Sequence, residues 1–208
     1  MKQKIDCNWH RYVDLGLPSG LLWATCNVGA KEPWESGLYF SWGNVDGHAK
    51  GSGYDFSEIE YAATPGATLD ATLIGKIPVN TEYDAARANF GGSWRMPTSA
   101  EFKELYDNCT SEWTTQNGFY GRLFISMING NRVFFPAAGF YYCTSLVDGC
   151  DRGAYWSSSI VLQYYVQYLC LHNKNVYPQN YNNRFYGFPV RAVLGHPKDS
   201  LLIKTIKR

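Results

Sequence analysis

The chain lacks a long apolar run. Its uninterrupted hydrophobic stretches are only a few residues, far short of the roughly 20 that a bilayer-spanning helix needs, so no membrane insertion is expected. An apolar h-region is missing from MKQKIDCNWHRYVDLG, so no signal peptide is expected there, and Cys7 has no hydrophobic segment before it to suggest a lipid anchor. The six cysteines (Cys7, Cys26, Cys109, Cys143, Cys150, Cys170) include no C-x-x-C pair, which argues against a zinc site. Cys143 and Cys150 are readable as free thiols or, in an oxidising compartment, as partners closing a short loop. Four histidines (His10, His48, His172, His196) lie far apart, with no H-x-x-x-H or H-E-x-x-H pattern, so metal ligation is not expected. Charge of one sign is not concentrated either. The formal net charge is +1, with a small basic cluster only at Lys204, Lys207 and Arg208, unlike the footprint of a nucleic-acid binder. Ser157 to Ser159 have no His and Asp at catalytic spacing, so nucleophilic chemistry is not expected of them.

What is present is aromatic and polar. A chain of 208 residues, 45% hydrophobic and 16% aromatic, can bury one sizeable core, and no linker divides it, so residues 1–208 read as a single domain. The most distinctive stretch is Tyr155 to Val193. Six residues between Tyr164 and Tyr186 are Tyr and five are Asn, and no acidic residue stands between Asp151 and Asp199. Such a run is too aromatic for a solvated linker and too polar for a buried strand. Tyr supplies stiff amphipathic contact area and Asn both donates and accepts hydrogen bonds, a pairing that recognition surfaces use.

Along the chain, Tyr12 to Val28 reads as two short strands around Pro18-Ser19-Gly20, and Gly37 to Gly43 as a short aromatic strand. Asn44 to Asn80 is a long Gly-, Ser-, Asp- and Ala-rich connection, of the kind that is usually functional or wrapped on a surface. Thr81 to Asn89 predicts a helix stopped by Gly91-Gly92. A second helix follows Pro97, where Thr98 and Glu101 have capping-box spacing, and runs to about Asn108 with Phe102, Leu105 and Tyr106 on one apolar face. Leu123 to Ile128 and Arg132 to Phe135 flank Asn129-Gly130-Asn131 as a hairpin. Leu169 and Leu171 alternate with Tyr168, Cys170 and His172, which predicts one apolar face and one exposed face. Phe188 to Val193 reads as a last strand. Many short strands, two helices and long irregular loops argue an α+β fold.

Five blocks carry a resemblance: DLGLPSGLLWATCNVGA (Asp14 to Ala30), GGSWRMPTSAEFKEL (Gly91 to Leu105), NGNRVFFPAAG (Asn129 to Gly139), YWSSS (Tyr155 to Ser159) and NNRFYGFPVRAV (Asn182 to Val193). In this order, over nearly the whole chain, they resemble the Fibrobacter succinogenes major paralogous domain family of Bacteroidetes and their phages. The resemblance implies a C-type-lectin-like fold of the formylglycine-generating-enzyme (sulfatase-modifying-factor) branch, with two helices, small antiparallel sheets, much irregular loop, and N- and C-terminal strands close together. It also implies diversification by a retroelement, which rewrites adenines at the 3′ end of such genes and turns Asn codons into Tyr, His, Cys and others.

The resemblance places a variable, ligand-binding region at about residues 155–193. Its face would comprise Tyr164, Tyr165, Tyr168, Cys170, His172, Asn173, Tyr177, Asn180, Tyr181 and Tyr186, held on a frame of Tyr155, Trp156, Ser157, Leu169, Leu171, Val176, Arg184, Gly187, Phe188, Val190 and Arg191. Ile160-Val161-Leu162 is more apolar than the run the family has there. Trp156 is expected in the core, and Arg191 in a pairing within the scaffold. Arg184 is readable as a structural hub or a ligand contact, and Tyr165 as a face residue or a buried one. Pro178-Gln179-Asn180 resembles a calcium-lectin tripeptide, yet no carboxylate lies near it and a hard cation needs several, so no calcium, other metal or cofactor is expected. The late cysteines do not fit the active-site pair of formylglycine-generating enzymes, and a fold alone does not confer activity. The expectation is a non-catalytic receptor-binding protein or adhesin on a phage virion or bacterial surface, with a cell-surface protein or glycan of a host or neighbouring bacterium as partner. The alternatives are a fixed surface glycan-binding or structural module and, third, an enzyme on the same fold.

Overall fold

The computed structural model describes residues 4–6, 10–58, 83–162 and 165–195. Strand β1 (Lys4–Ile5) pairs antiparallel with β2 (Arg11–Asp14), and β2 pairs with β3 (Leu22–Ala24). The turn expected at Pro18-Ser19-Gly20 is closed by the Gly20 N–H donating to the Leu17 carbonyl at 2.8 Å. Short aromatic strand β4 (Tyr39–Phe40) follows, then a 3-10 turn at Phe56–Glu58. Of the long connection expected over Asn44 to Asn80, residues 59–80 lie outside the described residues.

Two α-helices occur among the described residues. Helix α1 (Ala85–Phe90) starts at Asp84, whose carboxylate accepts the Arg87 N–H at 3.0 Å and the Met96 N–H at 2.9 Å. The sequence pattern placed this start at Thr81, which lies outside the described residues; the cap is Asp84 itself. After β5 (Trp94–Arg95), helix α2 (Ser99–Asn108) has the expected reciprocal cap. Thr98 Oγ1 accepts the Glu101 N–H at 3.2 Å and the Glu101 carboxylate accepts the Thr98 N–H at 2.8 Å. The same carboxylate is forked by the buried Arg95 guanidinium, at 2.8 and 2.6 Å. Phe102 and Leu105 are buried, whereas Tyr106, expected on the same face, is exposed.

A meander follows: β6 (Cys109–Gln116), β7 (Phe119–Ser126) and β8 (Arg132–Pro136) pair in order. Strand β6 escaped sequence reading because its eight residues, CTSEWTTQ, are mostly polar. Its turn is legible in retrospect, since Asn117 and Gly118 have φ of 49° and 83°, the two positive angles of a tight hairpin. Hairpin β9 (Phe140–Tyr142) and β10 (Ser145–Val147) leads into the sheet that matters most, β11 (Arg152–Leu162), β12 (Tyr165–His172) and β13 (Val176–Asn183). The last strand expected over Phe188 to Val193 is two strands. β14 (Phe188–Pro189) pairs with β4, and β15 (Val193–Leu194) inserts between β3 and β5. Between them the chain passes across the N-terminal segment, the Val190 and Ala192 carbonyls accepting the Val28 and Ala24 N–H groups at 2.9 and 3.0 Å. The architecture is thus α+β, with several small antiparallel sheets.

Two hydrophobic cores lie on opposite sides of the β11–β12 pair. Ala154, Trp156, Val166, Tyr168 and Cys170 face one core with Trp42, Trp94 and Phe188. Tyr155, Leu169 and Leu171 face the other with Trp23, Phe102, Leu105, Phe124 and Phe135. Burial on both faces makes this pair the central layer of the molecule. Arg191 pairs within the scaffold, as expected. It is fully buried, donates to Asn27 Oδ1 at 2.8 Å and to the Ala24 and Thr25 carbonyls at 3.0 and 2.6 Å, and lies 4.6 Å over the Phe135 ring.

Candidate functional site

The Tyr/Asn segment folds onto β12 and β13, and a bulge between them decides where each side chain points. Tyr168 is opposite Asn180, but Cys170 is opposite Tyr177, so Pro178 and Gln179 together face the single residue Leu169. Proline has no N–H to offer the ladder, which explains a bulge at this point. Strict alternation would set Tyr177 and Tyr181 on the same face. The extra residue instead puts Tyr177 and Asn180 on the face shared by Tyr168, Cys170 and His172, and sends Tyr181 to the opposite face with Tyr165. One expected surface has become two.

The first group has β11 as its far wall. Arg152, cross-strand from His172, donates Nε to Cys170 Sγ at 3.3 Å and Nη1 to Asp148 Oδ2 at 3.2 Å. His172 Nε2 lies 3.3 Å from Cys170 Sγ, its ring sits edge-on to Tyr177 at 6.2 Å, and its carbonyl accepts from Arg122 Nη1 at 3.2 Å. Burial, helped by the Arg152 charge, lowers the His172 pKa, which favours the neutral imidazole. Asn180 Nδ2 donates to the Tyr168 hydroxyl at 3.0 Å. Burial and the nearby Cys170 raise the pKa of that hydroxyl well above the usual tyrosine range. Arg152 also stands 5.5 Å over Phe140, which leads to an aromatic cluster of Tyr186, Phe185 and the exposed Tyr142.

The second group is the far end of the same sheet. Tyr165 and Tyr181 meet edge-to-face at 5.9 Å. Leu162, paired with Tyr165, is 63% exposed, and Val161 is exposed beside it. The three serines of YWSSS brace this end through hydrogen bonds. Ser157 Oγ donates to the Gln167 carbonyl at 2.7 Å, the Ser158 N–H donates to the Pro97 carbonyl at 2.8 Å, and Ser159 Oγ accepts the Ser99 N–H at 3.0 Å. The sheet is thereby clamped to the first turn of α2.

Exposure sorts the ten expected face residues. Tyr165, Tyr177 and Tyr181 are 40%, 48% and 60% exposed, Asn173 is exposed at the β12–β13 turn, and His172, Asn180 and Tyr186 are half-buried. Tyr168 and Cys170 require correction. They are 4% and 0% exposed, because β12 carries a core on each side and its polar-looking face is covered by Trp156 and Phe188. Tyr164 lies outside the described residues. Trp156 is buried as expected, donating Nε1 to the Phe40 carbonyl at 2.8 Å, and Arg184 is buried within the scaffold. Sequence reading missed Arg152, Tyr142 and Phe185; for Tyr142, a signal was the Tyr141-Tyr142 pair closing a short hairpin.

Chemically, the exposed groups offer aromatic faces, amides and hydroxyls. Cys170 and His172 sit at the distance of a nucleophilic dyad, with the Cys170 side chain fully buried. Cys26, Cys109, Cys143, Cys150 and Cys170 are free thiols. No group of three or more His, Cys, Asp or Glu side chains converges among the described residues, and no helix among them is long and apolar enough to cross a membrane. Comparison of the chain with family models, with curated proteins and with solved structures gives no match.

Proposed function

We propose that this protein is a non-catalytic ligand-binding domain, C-type-lectin-like in the formylglycine-generating-enzyme branch and related to the Fibrobacter succinogenes major paralogous domain family. Its Tyr/Asn-rich C-terminal sheet, which presents Tyr177 on one face and Tyr165 with Tyr181 on the other and is diversified by a retroelement, recognises a cell-surface protein or glycan of a host or neighbouring bacterium. The fold part of this reading is supported by β15 lying between β3 and β5, which brings the N- and C-terminal strands together, by the two helices among the described residues, and by the small antiparallel sheets. The observation that carries the function is the contrast across one sheet. Tyr165, Tyr177 and Tyr181 stand exposed on backbone whose neighbouring Trp156, Leu169 and Leu171 are fully buried. A rigid backbone bearing stiff rings binds with little loss of side-chain freedom, and the exposed positions can be exchanged without touching either core.

Two experiments test this. Deep sequencing of the 3′ end of the gene in a growing population should find substitutions at adenines in the codons of Tyr165, Tyr177, Asn180 and Tyr181, matched by a nearby template copy, with the codons of Trp156 and Leu169 constant. A uniform sequence with no template copy removes the retroelement. Binding of the purified chain to bacterial cells should fall on changing Tyr177 or Tyr181 to alanine; unchanged binding by both variants removes the surface itself.

A further inference from the structure

A second concave site lies away from the Tyr/Asn face, with no lining residue on β12 or β13. A cleft of about 680 Å³ lies where β2 faces the β6–β8 meander, within the size range of small-ligand pockets. Leu123 and Phe134, cross-strand partners, line it from the meander side, and Tyr12 and Pro33 from the other. The Phe134 ring lies across Gly121, where a Cβ would come within 2.4 Å of it, so the apolar wall depends on a residue with no side chain.

The polar groups of this cleft are held in place yet unspent. Asp14 Oδ1 accepts the Gly16 N–H at 2.8 Å, and the Asp14 carbonyl accepts Asn131 Nδ2 at 2.7 Å. These bonds orient the carboxylate and the amide while leaving Asp14 Oδ2 and Asn131 Oδ1 without a protein donor among the described residues. Thr114 and Gln116 from β6 and the exposed Arg132 from β8 line the same cleft, and their side chains have no protein partner among the described residues.

We propose that this cleft is a second binding site, for a short neutral saccharide. Two fixed acceptors, a free amide, a hydroxyl and a guanidinium around aromatic and aliphatic surface match a ligand with many hydroxyls and an apolar C–H face. One carboxylate and one guanidinium cancel, so the site has no preference for a charged ligand. Because none of its lining residues lies on β11, β12 or β13, the site is a constant one whatever the Tyr/Asn surface does.

The test is a titration of the ¹⁵N-labelled full chain with glucose, galactose, mannose, N-acetylglucosamine and their β-linked dimers at millimolar concentration, followed by amide shifts. At least one sugar should saturate shifts in Thr114–Gln116 and Asn131–Phe134. Asp14→Asn, which keeps the acceptor for Gly16 but loses the charge, should weaken that affinity about tenfold, and Gln116→Ala, at the edge of the sheet, should weaken it measurably. Tyr177→Ala and Tyr181→Ala should leave it unchanged, which separates this site from the surface above. Shifts confined to β12 and β13, no cleft shifts with any sugar in the panel, or wild-type affinity in both Asp14→Asn and Gln116→Ala would each overturn the proposal.

Discussion

Replacing Tyr168 by alanine sets the two-core geometry of β12 against the simpler picture of a uniformly exposed face. The Tyr168 ring is edge-on to Phe188 at 4.9 Å and to Trp156 at 6.2 Å, with its hydroxyl accepting from Asn180. Removing a buried aromatic ring costs about 3–5 kcal/mol in lost transfer free energy and cavity. Tyr168→Phe isolates the hydroxyl and should cost about 1 kcal/mol, since it leaves the half-buried Asn180 amide to find water instead. Tyr181 is 60% exposed and, among the described residues, its ring meets that of Tyr165, so Tyr181→Ala should stay within about 1 kcal/mol of wild type. Against a total stability of about 5–15 kcal/mol, only Tyr168→Ala removes a large fraction. Urea unfolding followed by tryptophan fluorescence reads all three, because Trp156 reports on the same core. A Tyr168→Ala midpoint close to wild type, or a Tyr181→Ala loss as large as that of Tyr168→Ala, would refute the assignment of these two tyrosines to core and surface. The consequence for a diversified gene is direct: polar substitutions at Tyr168 should be recovered as misfolded chains, and those at Tyr181 as folded ones.

Three further outcomes are expected. Glu101→Gln strips the countercharge from the buried Arg95 fork and should cost about 3–5 kcal/mol in the same unfolding assay, whereas Lys103→Ala, at the exposed Lys103–Asp107 pair, should cost about 0.5 kcal/mol or less; equal losses would show that burial does not matter here. Burial pushes the Tyr39 pKa up to about 12 from 10.0 and the Cys109 thiol up to about 11 from 9.0. Both groups therefore favour the folded state fully below about pH 9 and lose that contribution as pH rises to about 12, so the urea midpoint should fall across that window; a flat or rising midpoint contradicts it. Gly121→Ala forces a Cβ to 2.4 Å from the Phe135 carbonyl and from the Phe134 ring, and should cost about 1–3 kcal/mol with shifted amides along β8; an unperturbed spectrum would mean that the meander yields freely.

Local chemistry was legible from the chain alone wherever one short stretch carried its own instruction. Thr98 and Glu101 specify the start of α2 by reciprocal hydrogen bonds, and Asn129-Gly130-Asn131 specifies the β7–β8 reversal, because both depend on residues within a few positions. The aromatic and amide content of residues 164–186 marked the segment as unusual before any fold was known. Strand β6 was not legible, since a mostly polar strand is stabilised by the partner it finds rather than by its own pattern.

Which residues of that segment are surface was decided only by tertiary structure. Leu169 and Leu171 alternating with Tyr168, Cys170 and His172 is the pattern of a half-buried strand, and by itself it says that one face is free. It cannot say that Trp156 and Phe188, the former from the neighbouring strand and the latter from a separate sheet, cover the second face. Nor does the run Tyr177-Pro178-Gln179-Asn180 state that Pro178 spends an extra residue against Leu169 and turns Tyr181 away from Tyr177. Composition determined that tyrosine and asparagine would be concentrated here; long-range packing and one bulge determined which of them solvent can reach, because burial is a property of what lies opposite a residue and not of the residue itself.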